Sequence, residues 1–214
     1  MDIPTLLRQA HEFTQSPFEL GQTLNLGVTL TRKFLETSNP TEKILYSSFE
    51  SSSTPPHSNL IICHGGFEHS GRYDFLAYTL ACRGYLCHSL DLRGQGRSDG
   101  LRCGTKKLVT FHEDLSLLLH QIPNHLPIYI FAHSMGGGIF TTFLLKNPAL
   151  FTHIRGVIFS GPLTKMVVPD MPLNSESDLK KLSVLEIFFG HKYSGRVKIF
   201  FVFCGLKIIQ TCGN

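Results

Sequence analysis

The sequence predicts an α/β fold: a mostly parallel sheet with helices on both faces. Three observations predict it. Short apolar runs alternate with segments of helical periodicity from residue 59 onward, as at Asn59–Cys63, Tyr85–Leu92 and Pro127–Ala132. The first of these runs is too continuously apolar for a sheet with a wet face, which suits a strand covered on both sides. Glycines follow where a helix should stop or a strand should turn, as at Gly84 and at Gly65-Gly66.

Taken in order, residues 3–14 read as a short amphipathic helix, the stretch Gly21 to Asn39 as mixed, and Ser51–Ser58 (SSSTPPHS) as a loop from its Ser and Pro content. Asn59–Cys63 is a buried strand that turns at Gly65-Gly66. Apolar residues recur at helical spacing between Arg72 and Arg83, and Gly84 closes that helix. Tyr85–Leu92 is the next strand, DLRGQGRSDG a turn-rich loop, and Phe111–Gln121 an apolar-faced helix with Glu113 and Asp114 at its favourable amino end. Pro127–Ala132 is a third strand and Met135–Lys146 a helix made close-packing by Gly136, Gly137 and Gly138. Ile154–Ser160 is a fourth strand. Beyond Thr164 the pattern loosens: Leu179–Phe189 reads as helical, and the chain after Gly190 has no evident place in the scheme.

Composition bounds the function. The 214 residues, 42% hydrophobic, are enough for one domain with a real core. The net charge of +4 is spread over 20 basic and 16 acidic residues. With no concentrated basic footprint, nucleic acid is excluded as a partner. Six cysteines lack CxxC spacing, which suits a reduced, cytoplasmic chain. The amino-terminal residues have no apolar run of secretory type, and no stretch reaches the ~18 apolar residues of a membrane span. The histidines show no metal-ligand spacing, so neither a metal nor a cofactor is implied.

The segment FAHSMGG, residues 131–137, carries the chemistry. A nucleophilic serine between a strand and a helix must adopt a strained backbone, and small residues two before and two after it let strand and helix approach. Ala132 and Gly136 meet that requirement around Ser134. The Met135 N–H then sits at a helix amino terminus, in front of the serine. A strand ending in His64-Gly65-Gly66 brings further backbone N–H groups to the same end of a parallel sheet, so Gly66 and Met135 are the candidate pair of oxyanion donors. His64, His69 and His133 read as structural, since His133 on the serine's own turn points away from it. Asp91, Arg93 and Asp99 read as holding their loop.

Four blocks, HGGFEHSGRY, GYLCHSLDLRGQGRSDG, FAHSMGG and IRGVIFSGPL, occur in order over about residues 60–163. Together they resemble the monoacylglycerol lipase and serine aminopeptidase S33-like branch of the α/β-hydrolases. Ala132 departs from the motif, which usually has glycine there. The resemblance implies an α/β-hydrolase fold, Ser134 as nucleophile, and Gly66 and Met135 as oxyanion donors. It further implies an acyl ester or lipid substrate, with 164–190 as the start of a lid compatible with membrane-surface contact.

That fold takes its acid and base after the nucleophile, on loops following two further strands. The downstream carboxylates are Asp170, Glu176, Asp178 and Glu186, and the downstream histidines are His153 and His191. His153 precedes the fourth strand, at the wrong end of the sheet. Val197–Gly205 can stand in for one next strand, but LKIIQTCGN after it holds no acid. The fold is therefore expected to be incomplete at its carboxyl end, with 191–214 an atypical tail and the triad acid and histidine, which no residue here supplies convincingly, expected to be absent. The alternative to an ester hydrolase is an inactive hydrolase-like protein that binds lipid or a partner.

Overall fold

A computed structural model describes residues 27–104, 108–163, 198–203 and 206–208. The expected helices at 3–14 and 179–189, and the carboxylates and His191 of the lid and tail, lie outside the described residues.

The strands are β1 (Val28–Glu36), β2 (Lys43–Ser51), β3 (Ser58–Cys63), β4 (Tyr85–Leu90), β5 (Ile128–His133), β6 (Ile154–Ser160), β7 (Lys198–Phe203) and β8 (Leu206–Ile208). The helices are α1 (Asp74–Ala81), α2 (Leu108–Leu119) and α3 (Ser134–Lys146). The sheet runs in the order β1-β2-β4-β3-β5-β6-β7-β8. Pairing is parallel from β4 through β3, β5 and β6 to β7, and antiparallel at both margins.

All six residues of β3 are buried, as a strand covered on both faces requires. Its period-two alternation divides the core. Leu60 and Ile62 pack with Phe49, Ala77, Tyr78 and Ala81 beneath α1. Ile61 and Cys63 face α2 and α3, among Leu115, Leu118, Ile130, Ile139, Phe140 and Phe159. Helices therefore cover both faces, as the sequence implied. Gly84, at φ +83°, closes α1, its N–H donating to the Ala81 carbonyl at 2.9 Å.

The hairpin β1–β2 has no counterpart in the sequence reading, which left Gly21 to Asn39 mixed. β1 is the edge strand and mostly exposed, so burial does not impose alternation on it. Its definition comes from pairing, in register from Val28 opposite Ser51 to Glu36 opposite Lys43. The turn is set by Asn39, whose Oδ1 accepts from the Thr41 N–H (3.2 Å) and hydroxyl (2.9 Å). Arg32 ties the hairpin to α1 through Asp74 at 2.6 Å.

At the other margin, Lys198–Phe203 does form the next strand, with Gly156 opposite Lys198 and Ser160 opposite Val202. Only Cys204 and Gly205 separate β7 from the antiparallel β8, and neither is an acid.

The DLRGQGRSDG loop is held as expected. Asp91 accepts from the Ser70 N–H (2.8 Å), the Ser70 hydroxyl (2.6 Å) and the Arg97 N–H (2.8 Å). Arg93 pairs with Glu42, Glu113 and the fully buried Asp114 at 2.9, 2.9 and 2.7 Å. Asp99 accepts the Lys43 N–H at 2.9 Å, stitching the loop to β2. Gly96, at φ +50°, passes so close to Asp91 that a Cβ would lie 2.2 Å from its Oδ2.

Candidate active site

β5 ends at His133 in extended geometry, φ −103° and ψ 138°, and the next residue, Ser134, turns to φ +47° as α3 begins. A left-handed conformation costs a non-glycine residue on the order of 1 kcal/mol, and such strain persists only where the surroundings over-determine it. Here they do. Ala132 is fully buried, and a Cβ at Gly136 would lie 2.3 Å from the His64 carbonyl oxygen and 2.8 Å from that of Cys63. A Cβ at Gly137 would lie 2.8 Å from Pro162 Cβ. The Leu163 N–H donates to the Ser134 carbonyl at 2.8 Å, fastening the first turn of α3 to the chain leaving β6. The run of three glycines thus lets α3 seat directly on backbone. Ser134 itself remains partly exposed.

β3 is the neighbour of β5, with Cys63 opposite Ala132, so the turn after β3 emerges beside Ser134. A Cβ at Gly65 would stand 3.1 Å from Ser134 Cβ and 3.0 Å from His133 Cδ2, so only glycine fits without displacement. Gly66 lies against Met135, with 3.8 Å from its ideal Cβ to Met135 Cβ. The two sequence-predicted backbone donors and the serine are therefore gathered at one place.

The nearby histidines are engaged elsewhere. His133 Nδ1 bonds the Ser160 carbonyl at 2.8 Å and its hydroxyl at 3.1 Å. His64 is buried, with Nδ1 at 2.7 Å from the Gly65 carbonyl and Nε2 accepting the Leu92 N–H at 2.9 Å. Burial pushes its pKa down. His153 lies where β6 begins, its carbonyl accepting the Ile128 N–H at 3.2 Å, at the far end of β5 from Ser134. Cys63, also close to α3, is no rival nucleophile, because burial pushes its thiol up to about 12.

Glu68 has a part that the sequence reading missed. Its Oε1 accepts the Gly65 N–H at 2.5 Å and the Tyr73 hydroxyl at 2.8 Å, and its side chain is only 7% exposed. Burial acts to raise its pKa, but the hydrogen bonds from Gly65 and Tyr73, together with nearby positive charge that includes Arg72 at 3.3 Å, hold the carboxyl below its usual range. Glu68 and Tyr73 both stand inside HGGFEHSGRY, yet spacing alone does not reveal a bond from a carboxylate back to its own turn. Among the described residues no group of acidic, histidine and cysteine side chains could hold a metal ion.

A profile of the serine aminopeptidase S33 family matches residues 54–188. The chain belongs to this family. Monoacylglycerol lipase of Mycolicibacterium smegmatis is 36% identical over 112 residues, covering 51% of this chain and 39% of the relative. Monoglyceride lipase of Rattus norvegicus is 30% identical over 128 residues, covering 58% and 41%. Lysophospholipase L2 of Escherichia coli is 35% identical over 117 residues, covering 51% and 34%. The chain thus spans well under half the length of these relatives. Among solved structures, a soluble variant of monoglyceride lipase from Saccharomyces cerevisiae in complex with a substrate analogue superposes with a TM-score of 0.53. It is 22% identical and covers 64% of this chain and 45% of its own. A thermostable carboxyl esterase from Bacillus coagulans gives 0.54 at 22% identity, covering 62% and 44%. These superpositions bear out the α/β-hydrolase fold, and the S33 match bears out the resemblance carried by the four motif blocks.

Proposed function

We propose that this S33-family chain is a serine hydrolase of carboxylic esters, of monoacylglycerol lipase type. The observation that carries the reading is Ser134 at φ +47° between β5 and α3, with Gly65-Gly66 packed against Ser134-Met135. In this reading Ser134 Oγ attacks the ester carbonyl carbon and loses its proton to a general base. The carbonyl oxygen becomes an oxyanion held by the N–H groups of Gly66 and Met135, the latter in the first turn of α3, where the helix dipole favours negative charge. Collapse expels the alcohol, and water then cleaves the acyl-serine ester. His64 has both ring nitrogens bonded and is not free to serve as base, and His133 is held through Nδ1 to Ser160. The general base and its carboxylate partner are unassigned among the described residues. No cofactor is needed for these steps.

The relatives named as monoacylglycerol lipase, monoglyceride lipase and lysophospholipase support a single-chain acylglycerol or lysolipid substrate. Phe67, 82% exposed and next to Gly66, and Leu163, 40% exposed and bonded to Ser134, give the site an apolar margin suited to an acyl chain. A cytoplasmic protein touching membranes only at their surface is consistent with that substrate class.

The test is labelling of the folded chain by a fluorophosphonate probe, with Ser134→Ala as control. Labelling that vanishes in the control supports the hydrolase and leads to monoacylglycerol turnover. A folded chain that does not label favours the alternative, a hydrolase-like protein that binds without turnover.

A further inference from the structure

The donor assigned to Gly66 is half of a rigid unit. Its N–H belongs to the peptide whose carbonyl is that of Gly65, and in a trans peptide the two point in opposite directions. Whatever holds the Gly65 carbonyl therefore aims the Gly66 N–H. Glycine on both sides leaves this peptide free to rotate about flanking bonds that other residues would restrict. In this structure it is held by the His64 imidazole, Nδ1 to the Gly65 oxygen at 2.7 Å.

The bonding of His64 determines its proton. The Gly65 carbonyl can only accept, so Nδ1 carries the hydrogen. The Leu92 N–H can only donate, so Nε2, at 2.9 Å, carries a lone pair. Leu92 follows β4, on the opposite side of β3 from β5, so the imidazole links the oxyanion turn to a strand that bears no part of the site. The preceding peptide is fixed independently: its N–H, that of Gly65, goes to Glu68, and its carbonyl, that of His64, faces α3 at Gly136. Two consecutive peptides are thus set by three separate contacts. The direction of the second, the one that carries the candidate donor, is set by the histidine.

We propose that His64 is a positioning residue: fixed as the Nδ1–H tautomer between Leu92 and Gly65, it turns the Gly65–Gly66 peptide so that the Gly66 N–H faces the oxyanion at Ser134. This rests on the hydrolase reading. It gives the first residue of the HGG segment a task that packing alone does not require.

Two variants separate this task from mere support of the loop. His64→Asn keeps a side-chain N–H at the position of Nδ1 and loses the acceptor for Leu92. His64→Gln places an acceptor near Nε2 and loses the donor to Gly65. Both remove one of two bonds and both should be destabilised. The second-order rate of fluorophosphonate labelling, read beside the thermal midpoint of each folded variant, should fall roughly a hundredfold in His64→Gln, the scale of losing one oxyanion donor. His64→Asn should recover at least tenfold of that loss despite a similar midpoint. Long-range 1H–15N NMR of the wild type should show His64 protonated at Nδ1. A His64→Gln chain that labels at the wild-type rate, or a His64 protonated at Nε2, overturns the inference while leaving the hydrolase intact. A wild-type chain that is folded and does not label overturns both.

Discussion

Replacing Gly136 with alanine tests the packing on which the site stands. In a helix interior this exchange ordinarily stabilises by about 1 kcal/mol, because alanine removes glycine's excess backbone freedom. Here the sign should reverse. The new methyl would lie 2.3 Å from the His64 carbonyl oxygen, 2.8 Å from the Cys63 carbonyl oxygen and 2.9 Å from Cys63 Sγ. Two of these are backbone atoms at the end of β3 and cannot rotate away, so α3 and β3 must part by about 1 Å to restore ordinary contact. Neither can move freely, since Ser134 is tied to Leu163 and β3 is paired on both sides. Overpacking of this kind costs about 3 kcal/mol at the upper end of its usual range. Set against the helix gain of about 1 kcal/mol, the net loss is about 2 kcal/mol. In a chain of 214 residues that lowers the melting temperature by roughly 4–8 °C. The same displacement carries Ser134 away from Gly65, and misplacement on the order of 1 Å can cost up to about a hundredfold in rate. Since the chain has no tryptophan, urea unfolding followed by far-ultraviolet circular dichroism is the assay, paired with fluorophosphonate labelling. Gly104→Ala is the control, because its methyl meets nothing closer than a Leu101 side-chain carbon at 3.4 Å. A Gly136→Ala chain as stable as wild type and labelled as fast would refute the close seating of α3 on β3.

At position 134, Gly should be more stable than Ala by about 1 kcal/mol in denaturant titration, because only glycine adopts φ +47° without strain, and neither should label. Arg93→Met should cost about 3–5 kcal/mol in the same titration by leaving the fully buried Asp114 without its cation, and adding Asp114→Asn should return part of that loss. Burial lowers His88 and His112 each to about 4, so both stay neutral in the fold while the unfolded chain takes up protons below pH ~6.5. Stability should therefore fall as pH drops from about 6.5 to 4, by up to about 1.4 kcal/mol per pH unit for each histidine; a His88→Gln chain whose stability falls as steeply as wild type in urea titrations across that range would contradict this.

Much of this molecule could be read from residues 59–160, where burial on both faces writes strands as unbroken apolar runs and helices as periodic ones. β3, β5 and β6 fall within a residue or so of their expected bounds, and Ser134 takes the strained turn that its small neighbours implied. Elsewhere the rules lose force for definite reasons. β1 lies at an edge where water tolerates Arg32 and Lys33 in the middle of the strand, and β2 buries Ser47, whose polarity interrupts the apolar signal. Both partners of His64, Leu92 N–H and Gly65 O, and one partner of Glu68, Gly65 N–H, are backbone groups, and backbone groups have no signature in a sequence.

The adjacency of β3 and β5 has a further consequence, for the order in which the chain acquires its properties. Gly65 and Ser134 are some seventy residues apart, with β4, α1 and α2 made between them. Cys63 and Ala132 come into register only when that long loop closes, an event whose entropy cost places it late rather than early in folding. Until then the two halves of the site are ordinary solvated turns. Any heightened reactivity of Ser134 is thus a sign that the central strands have zipped together. The rate at which it appears after dilution from denaturant would time the closing of the sheet.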